Sequence, residues 1–461
     1  MRVLKQARNK ALVVSLLLTT SLAGASASWA ETITEALALA YSGNPTLNAQ
    51  RAAVRATDEN VPLAKSGLRP FIEGNAYKGR THTKTFSPLG TTTTDLTPYG
   101  FGVTISQVLW DSWKTQNNVA AAESGVLAQR ETLRNTEQNV LFDAATAYMD
   151  VIRDTQIASY RASALSFLDE LVRSERARFD VGESTRTDTA QAQAQQAGAR
   201  GLASAAKAQL KSSQAIYRQI VGKEPGKLTM PKAAVAKIPS SLDQALQIAY
   251  AQHPAILATR HLVDVAMYNV KSAESSFLPT ISLQGKLSKD YDVAKNTDRE
   301  SASIMANLNI PIYQGGKASA TVRQNKETLG QRRIEVDQAV DNVRAAVVSA
   351  YSQLEAARAS AEGYDAQLRA AQIALNGVQE ERRVGQRTTL DVLNTQSDVL
   401  DAQILLAQSR RNVVVASYAV LSAIGRLTAD DLSLKVARYD PEDHYVVVKD
   451  KWYGLRTPTG E

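Results

Sequence analysis

The sequence predicts an α+β membrane protein built as a tandem structural repeat. It combines long coiled-coil helices with four β-strands suited to a membrane β-barrel. Three observations predict this. Motifs near the start of the 461-residue chain recur at a constant offset of 209. No proline interrupts Lys317 to Glu381, where apolar residues recur about every 3.5 residues. Several short segments alternate apolar with small or polar residues, the period of a strand with two unlike faces.

The first element, residues 1–30, reads as a secretory leader. Arg2, Lys5, Arg8 and Lys10 precede the apolar run Ala11 to Leu18, and Ser28-Trp29-Ala30 offers a small-x-small cleavage site before Glu31. Its loss leaves 49 of the 53 Lys and Arg against 46 Asp and Glu, so the net charge falls from +7 to about +3. The basic balance therefore says little about nucleic acid. There is no cysteine, which excludes disulfides, thiolate metal sites and an amino-terminal lipid anchor. After residue 30 no apolar run approaches the ~18 residues of a transmembrane helix.

The repeat sets the domain bounds. Residues 33–51 and 242–260 share Ala36/Ala245, Leu37/Leu246, Ala40/Ala249, Tyr41/Tyr250, Pro45/Pro254, Ala49/Ala258 and Arg51/Arg260. Further on the offset is 203, which pairs Trp110 with Tyr313, Tyr148 with Tyr351 and Asp188 with Asp391. Repeat 1 is expected over 31–221 and repeat 2 over 241–424, with an equatorial linker at 222–240 and an equatorial segment and tail at 425–461. Each repeat opens with a short helix (Thr34 to Tyr41; Leu242 to Tyr250), then a helix begun by proline and reaching about Lys65 or Ser275.

A β-hairpin is expected next, at about 70–110 and 279–313. Phe101, Val103, Ile105 and Leu109 alternate with Gly102, Thr104 and Ser106. Ile281, Leu283, Gly285 and Leu287 do the same, as do Ile304, Ala306, Leu308 and Ile310. The connections near 82–97 and 289–300, rich in Thr, Asp, Lys and Asn, suit the exterior. Four strands cannot close a barrel, whose observed minimum is about eight, and open edges in lipid are costly. Two chains would supply eight strands, whose interior side chains largely fill. Three would supply twelve and leave a passage.

Long helices complete each repeat, at about 114–178 and 187–221, then 317–381 and 388–424. Val336, Val340, Val343, Val347, Ala350, Leu354, Ala357, Ala361, Tyr364, Leu368, Ala371, Leu375 and Val378 step by fours and threes along one seam. Leu133, Val140, Ala144, Ala147, Val151, Leu168 and Val172 carry a weaker version in the first repeat. At 1.5 Å per residue such a helix is a rod of roughly 100 Å.

Ala-Leu-x-x-Ala-Tyr-x-x-x-Pro stands at 36–45 and 245–254, Leu-Pro-Thr at 278–280, and Ile-Tyr-Gln-Gly-Gly-Lys at 312–317. Val-Gly-Gln-Arg-Thr-Thr-Leu-Asp-Val-Leu stands at 384–393. With the leader and the repeat, these motifs resemble the TolC family of outer-membrane ducts over about residues 32–435. The resemblance implies a homotrimer with a twelve-stranded β-barrel in outer-membrane lipid and a helical barrel across the periplasm of a Gram-negative bacterium. It also implies a periplasmic adaptor and an inner-membrane pump of the RND or ABC type docking at the tip. Drugs, detergents or secreted polypeptides pass out through the duct.

The resemblance further implies roles at the tip, where the turns are Val181-Gly182 and Val384-Gly385. Arg387 matches an Arg that bonds a Thr-Asp pair, here Thr187 and Asp188, to hold the coiled coils closed. Asp391 matches a ring of carboxylates at the narrowest point. Two positions depart from the pattern. A second acid of the constriction is Asn394, which implies weaker cation selectivity, and a latch Tyr is Arg382, which either pairs with an acid or loosens the latch. Without the resemblance, Arg387, Asp188 and Asp391 read as helix-turn charges and caps.

Enzyme chemistry finds no support in the sequence. His82, His253, His261 and His444 are scattered without metal-ligand spacing. Gly315-Gly316-Lys317 lacks the upstream Gly and the Ser/Thr of a phosphate loop. No cofactor or metal is expected. The competing class is a soluble periplasmic coiled-coil adaptor, which would need a lipoyl-like β domain and an anchor. The tail from Tyr439 onward, polar with aromatics, is compatible with wrapping the equator or with free movement.

Overall fold

Capping residues mark where the chain turns helical. In the computed structural model, which describes residues 31–458, Thr32 and Glu35 form a reciprocal capping box that starts α1 (Ile33–Gly43). The expected leader lies outside the described residues. Asn44 accepts from the Thr46 and Leu47 N–H groups and, with Pro45 in the first turn, starts α2 (Pro45–Asp58). The helix expected to continue to Lys65 breaks here. Pro62 has no N–H to offer the Asp58 carbonyl, and a separate α3 (Asn60–Lys65) follows.

Six strands follow these helices among the described residues. β1 (Phe71–Lys78), β2 (Thr81–Ser87), β3 (Gly90–Leu96) and β4 (Tyr99–Trp110) precede the first long helix, and β5 (Thr280–Ala294) and β6 (Thr297–Asn309) precede the second. β1, β4, β5 and β6 form one antiparallel sheet in that order, while β2 and β3 pair separately. The segment expected as a loop near 82–97 is thus a second hairpin, held by pairs such as Thr83↔Thr94 and Thr85↔Thr92.

The long helices are α4 (Lys114–Asp180), α5 (Arg186–Val221), α8 (Lys317–Arg383) and α9 (Thr389–Ala423). Between them lie α6 (Leu242–Gln252) and α7 (Pro254–Glu274). α4 pairs with α5 and α8 with α9 as hairpins, and α4 also packs on α7 and α9. No helix among the described residues is long and apolar enough to cross a membrane.

The deepest packing lies midway along α4. Leu141, Tyr148 and Met149 are fully enclosed there with Leu37, Leu47, Tyr217, Ile256, Leu421, Ile424 and Leu427. Two buried phenols tie the crossing segments together. The Tyr148 hydroxyl donates to the Glu31 carbonyl (2.7 Å) and accepts from the Thr229 N–H (3.1 Å). Tyr217 donates to the Glu31 carboxylate (2.8 Å), and burial pushes its phenol pKa up. Gly425 closes this region at φ 82°, with its Cα hydrogen facing the His253 backbone.

The carboxy-terminal segment is ordered as a strap. α10 (Pro441–Val448) lies along α2, with His444 Nδ1 2.8 Å from the buried Asp58 carboxylate and Glu442 paired with Arg130.

Candidate functional site

At the far end of the long helices two turns share one construction. Val181 and Val384 cap their helices, and Gly182 and Gly385 follow, both at φ 81°. Glu183 N–H donates to the Arg178 carbonyl (2.8 Å) and Gln386 N–H to that of Glu381 (2.9 Å), which satisfies the last turn of each helix. Thr185 with Asp188 and Thr388 with Asp391 then form reciprocal capping boxes that start α5 and α9.

These caps account for two of the residues singled out from sequence. Asp188 accepts from the Thr185 hydroxyl at 2.6 Å. Asp391 accepts from the Thr388 N–H (2.9 Å) and hydroxyl (2.8 Å), and these bonds, with the nearby Arg387 charge, hold its carboxyl below the usual range. Thr187 and Asn394 are exposed. Arg387 donates to Glu381 of its own turn at 2.7 Å, which raises its pKa further. Among the described residues, no hydrogen bond or ion pair within the chain joins Arg387 to Thr187 or Asp188.

The contact that does join the two turns centres on Glu175, 1% exposed near the end of α4. Its Oε1 receives the Arg382 guanidinium from the end of α8 and the Thr389 hydroxyl (3.3 Å) from the start of α9. Its Oε2 accepts from Ser184 in the first turn at 2.8 Å. Arg382 is thus paired with an acid of the first helix hairpin. Glu175 was missed from sequence although a signal existed. Glu175 follows Val172 by three and Arg382 follows Val378 by four, so both stand where the apolar seam would continue. A charge at a buried seam position needs a partner. Beyond the pair, Leu168, Leu171 and Leu393 form a small apolar cluster.

At the opposite end, the sheet separates two chemistries by register. Val103 pairs with Leu287 and Ile105 with Gly285, and Gly285 with Ile304 and Ile281 with Leu308 continue the same face. Its side chains are exposed: Val103 44%, Leu287 61%, Ile304 80% and Leu308 61%. The other face carries Thr104, Ser106, Gln284, Lys286, Ser288 and Asn307. Gly100 and Gly102 stand on this polar face, where a Cβ at Gly100 would meet Asp290 at 2.6 Å. The outer edges of β1 and β6 have no partner strand among the described residues.

The chain is thus a rod of paired helices with one bridged tip and, at the other end, an open sheet with an exposed apolar face and a polar face. The pattern described as "Outer membrane efflux protein" matches residues 36–223 and 245–426. The chain is 52% identical over 439 residues to the outer membrane efflux protein BepC of Brucella suis biovar 1 (strain 1330), covering 94% of each chain. It is 27% identical to the outer membrane protein TolC of Vibrio cholerae serotype O1 (strain ATCC 39315 / El Tor Inaba N16961), covering 90% of this chain and 96% of that one. The crystal structure of the Campylobacter jejuni CmeC outer membrane channel superposes with a TM-score of 0.78 at 16% identity, covering 90% of this chain and 89% of that one. The chain belongs to the outer membrane efflux protein family. Its members are outer membrane channels and not enzymes, which sets aside the soluble adaptor.

Proposed function

We propose that three copies of the chain close their sheets into a twelve-stranded barrel in the outer membrane, with the helices forming a tunnel across the periplasm. The observation that carries this reading is the sheet: an exposed apolar face, a polar face, and two unpaired edges. In lipid those edges need partners, and a ring of copies supplies them without new chemistry. The recurring order of elements supports two copies of one unit, 31–221 and 241–424, joined by the linker 222–240.

The duct serves a tripartite efflux or type I secretion system. A periplasmic adaptor and an inner-membrane pump of the RND or ABC type dock at the tip, and the pump supplies the energy. Drugs, detergents or polypeptides then leave through the passage. The resting tip is held shut by two sets of contacts. Arg382–Glu175 bridges the turns within a chain, and Arg387 moves from Glu381 to Thr187 and Asp188 of a neighbouring copy. Asp391 and Asn394 line the constriction, where repeated carboxylates attract cations.

Planar-bilayer recording on detergent-extracted protein, with its mass from light scattering, tests this reading. Small, cation-selective steps from a trimer are expected. A water-soluble monomer without conductance removes the channel.

A further inference from the structure

The carboxy-terminal strap climbs steadily toward the sheet. The Tyr439 hydroxyl donates to the Arg51 carbonyl at 3.4 Å, His444 meets Asp58, and Asp450 takes the Lys65 ammonium at 2.6 Å. Arg69, two residues before β1, then donates to the Lys451 carbonyl (2.8 Å) and stacks over the Trp452 ring, 4.9 Å from its centroid. Each step along the strap is matched by a step along α2 and α3 toward the sheet. The strap therefore delivers its end to the boundary where the helices stop and the apolar face begins at Ile72.

What it delivers there is a set of largely exposed aromatic and apolar side chains. Trp452 is 65%, Tyr453 91% and Leu455 101% exposed. Lys449, Lys451 and Arg456 flank them in the sequence, and the Arg69 guanidinium lies over the Trp452 ring. At the same junction Trp113, 58% exposed, caps α4 at φ 64°, a backbone conformation that disfavours a bulky side chain. The position 203 residues on is Gly316, at φ 80° and free of that cost. The first repeat thus holds an indole at a junction where glycine would fold more easily. Amphipathic rings with flanking Lys and Arg are the side chains that settle at a lipid headgroup layer.

We propose that the strap end Trp452–Leu455, together with Trp113, docks on the phospholipid headgroups of the periplasmic leaflet and anchors the collar of the channel to the membrane surface. The lipid is recognised by ring insertion and by attraction of anionic headgroups to the basic residues. This inference rests on reading the sheet as membrane-spanning.

The cysteine-free chain allows a direct test. Leu455→Cys, Tyr453→Cys and, as a control on the apolar sheet face, Ile105→Cys are each spin-labelled in the full chain. Each is reconstituted in phosphatidylethanolamine–phosphatidylglycerol vesicles. Collision with oxygen, enriched in lipid, is compared with collision with a water-soluble nickel chelate. All three labels are expected to favour oxygen, with 453 and 455 shallower than 105. If 105 favours oxygen but 453 and 455 favour nickel, the strap end is in water and the inference is overturned while the barrel stands. If 453 and 455 are shielded from both reagents, a protein surface covers them and the inference is likewise overturned. If 105 also favours nickel, the membrane reading itself falls.

Discussion

At the residue scale, the proposed closure of the tip rests on one buried carboxylate, Glu175. Arg382→Ala leaves Glu175 enclosed without its counter-ion, a loss on the order of 3 kcal/mol for a buried pair. The expected outcome is a raised single-channel conductance in a bilayer, and an unchanged conductance would show that the bridge does not hold the tip. A second residue carries acid sensitivity. His253 caps α7 by accepting the Ala255 N–H at its Nδ1 (3.2 Å), a role only the neutral ring can fill. Burial first, and the Arg134 charge second, push its pKa from 6.5 to about 4. The unfolded chain therefore binds more protons between these values. The stability from His253 is complete above pH 6.5 and is lost as pH falls toward 4. His253→Asn, which copies Asn44 at the start of α2, is expected to flatten the acid limb of thermal stability measured by circular dichroism. Such pairings were only half legible in sequence. Arg382 stood out as a departure from a motif, but its partner lies 207 positions away and only the fold brings the two together.

At the element scale, periodicity was the readable signal. The apolar steps from Val336 to Val378 all fall on the buried or half-buried side of α8, deepest at Val343, Val347, Ala350 and Leu354. β2 and β3 went unread because Thr91 to Thr94 and their partners have no apolar face, and Thr91, Thr92 and Thr93 are exposed. Their pairing rests on backbone bonds and Thr–Thr contacts, which leave no pattern in hydropathy. The strap was equally hidden, since its holds are polar contacts to elements hundreds of residues away. The helix-terminal glycines separate two costs. At Gly182 nothing lies within 4 Å of an added Cβ, so Gly182→Ala carries only the left-handed backbone penalty of about 1 kcal/mol. At Gly425 the same change also drives a methyl to 2.9 Å from His253 Cα. Thermal denaturation is expected to show Gly425→Ala losing clearly more stability than Gly182→Ala. Equal losses would mean that the α7 start yields.

At the scale of the whole molecule, the two faces of the sheet set which substitutions the assembly tolerates. Ile304→Lys places a charge on the face proposed to meet lipid, at a cost of about 2–4 kcal/mol near the bilayer midplane. Ser303→Lys places the same charge one residue along on the polar face. Recovery from detergent-washed outer membranes is expected to fall for Ile304→Lys and to persist for Ser303→Lys, and equal recovery would contradict the assigned faces. The unpaired edges of β1 and β6 carry a genetic consequence as well. If every ring draws its subunits from one pool, a defective copy spoils each ring it joins. With equal amounts of sound and defective chains, only about one ring in eight of the proposed three-copy assembly is made wholly of sound copies. A tip or edge mutant should therefore be dominant over the intact gene in the same cell, while a mutant too unfolded to present its edges should be recessive.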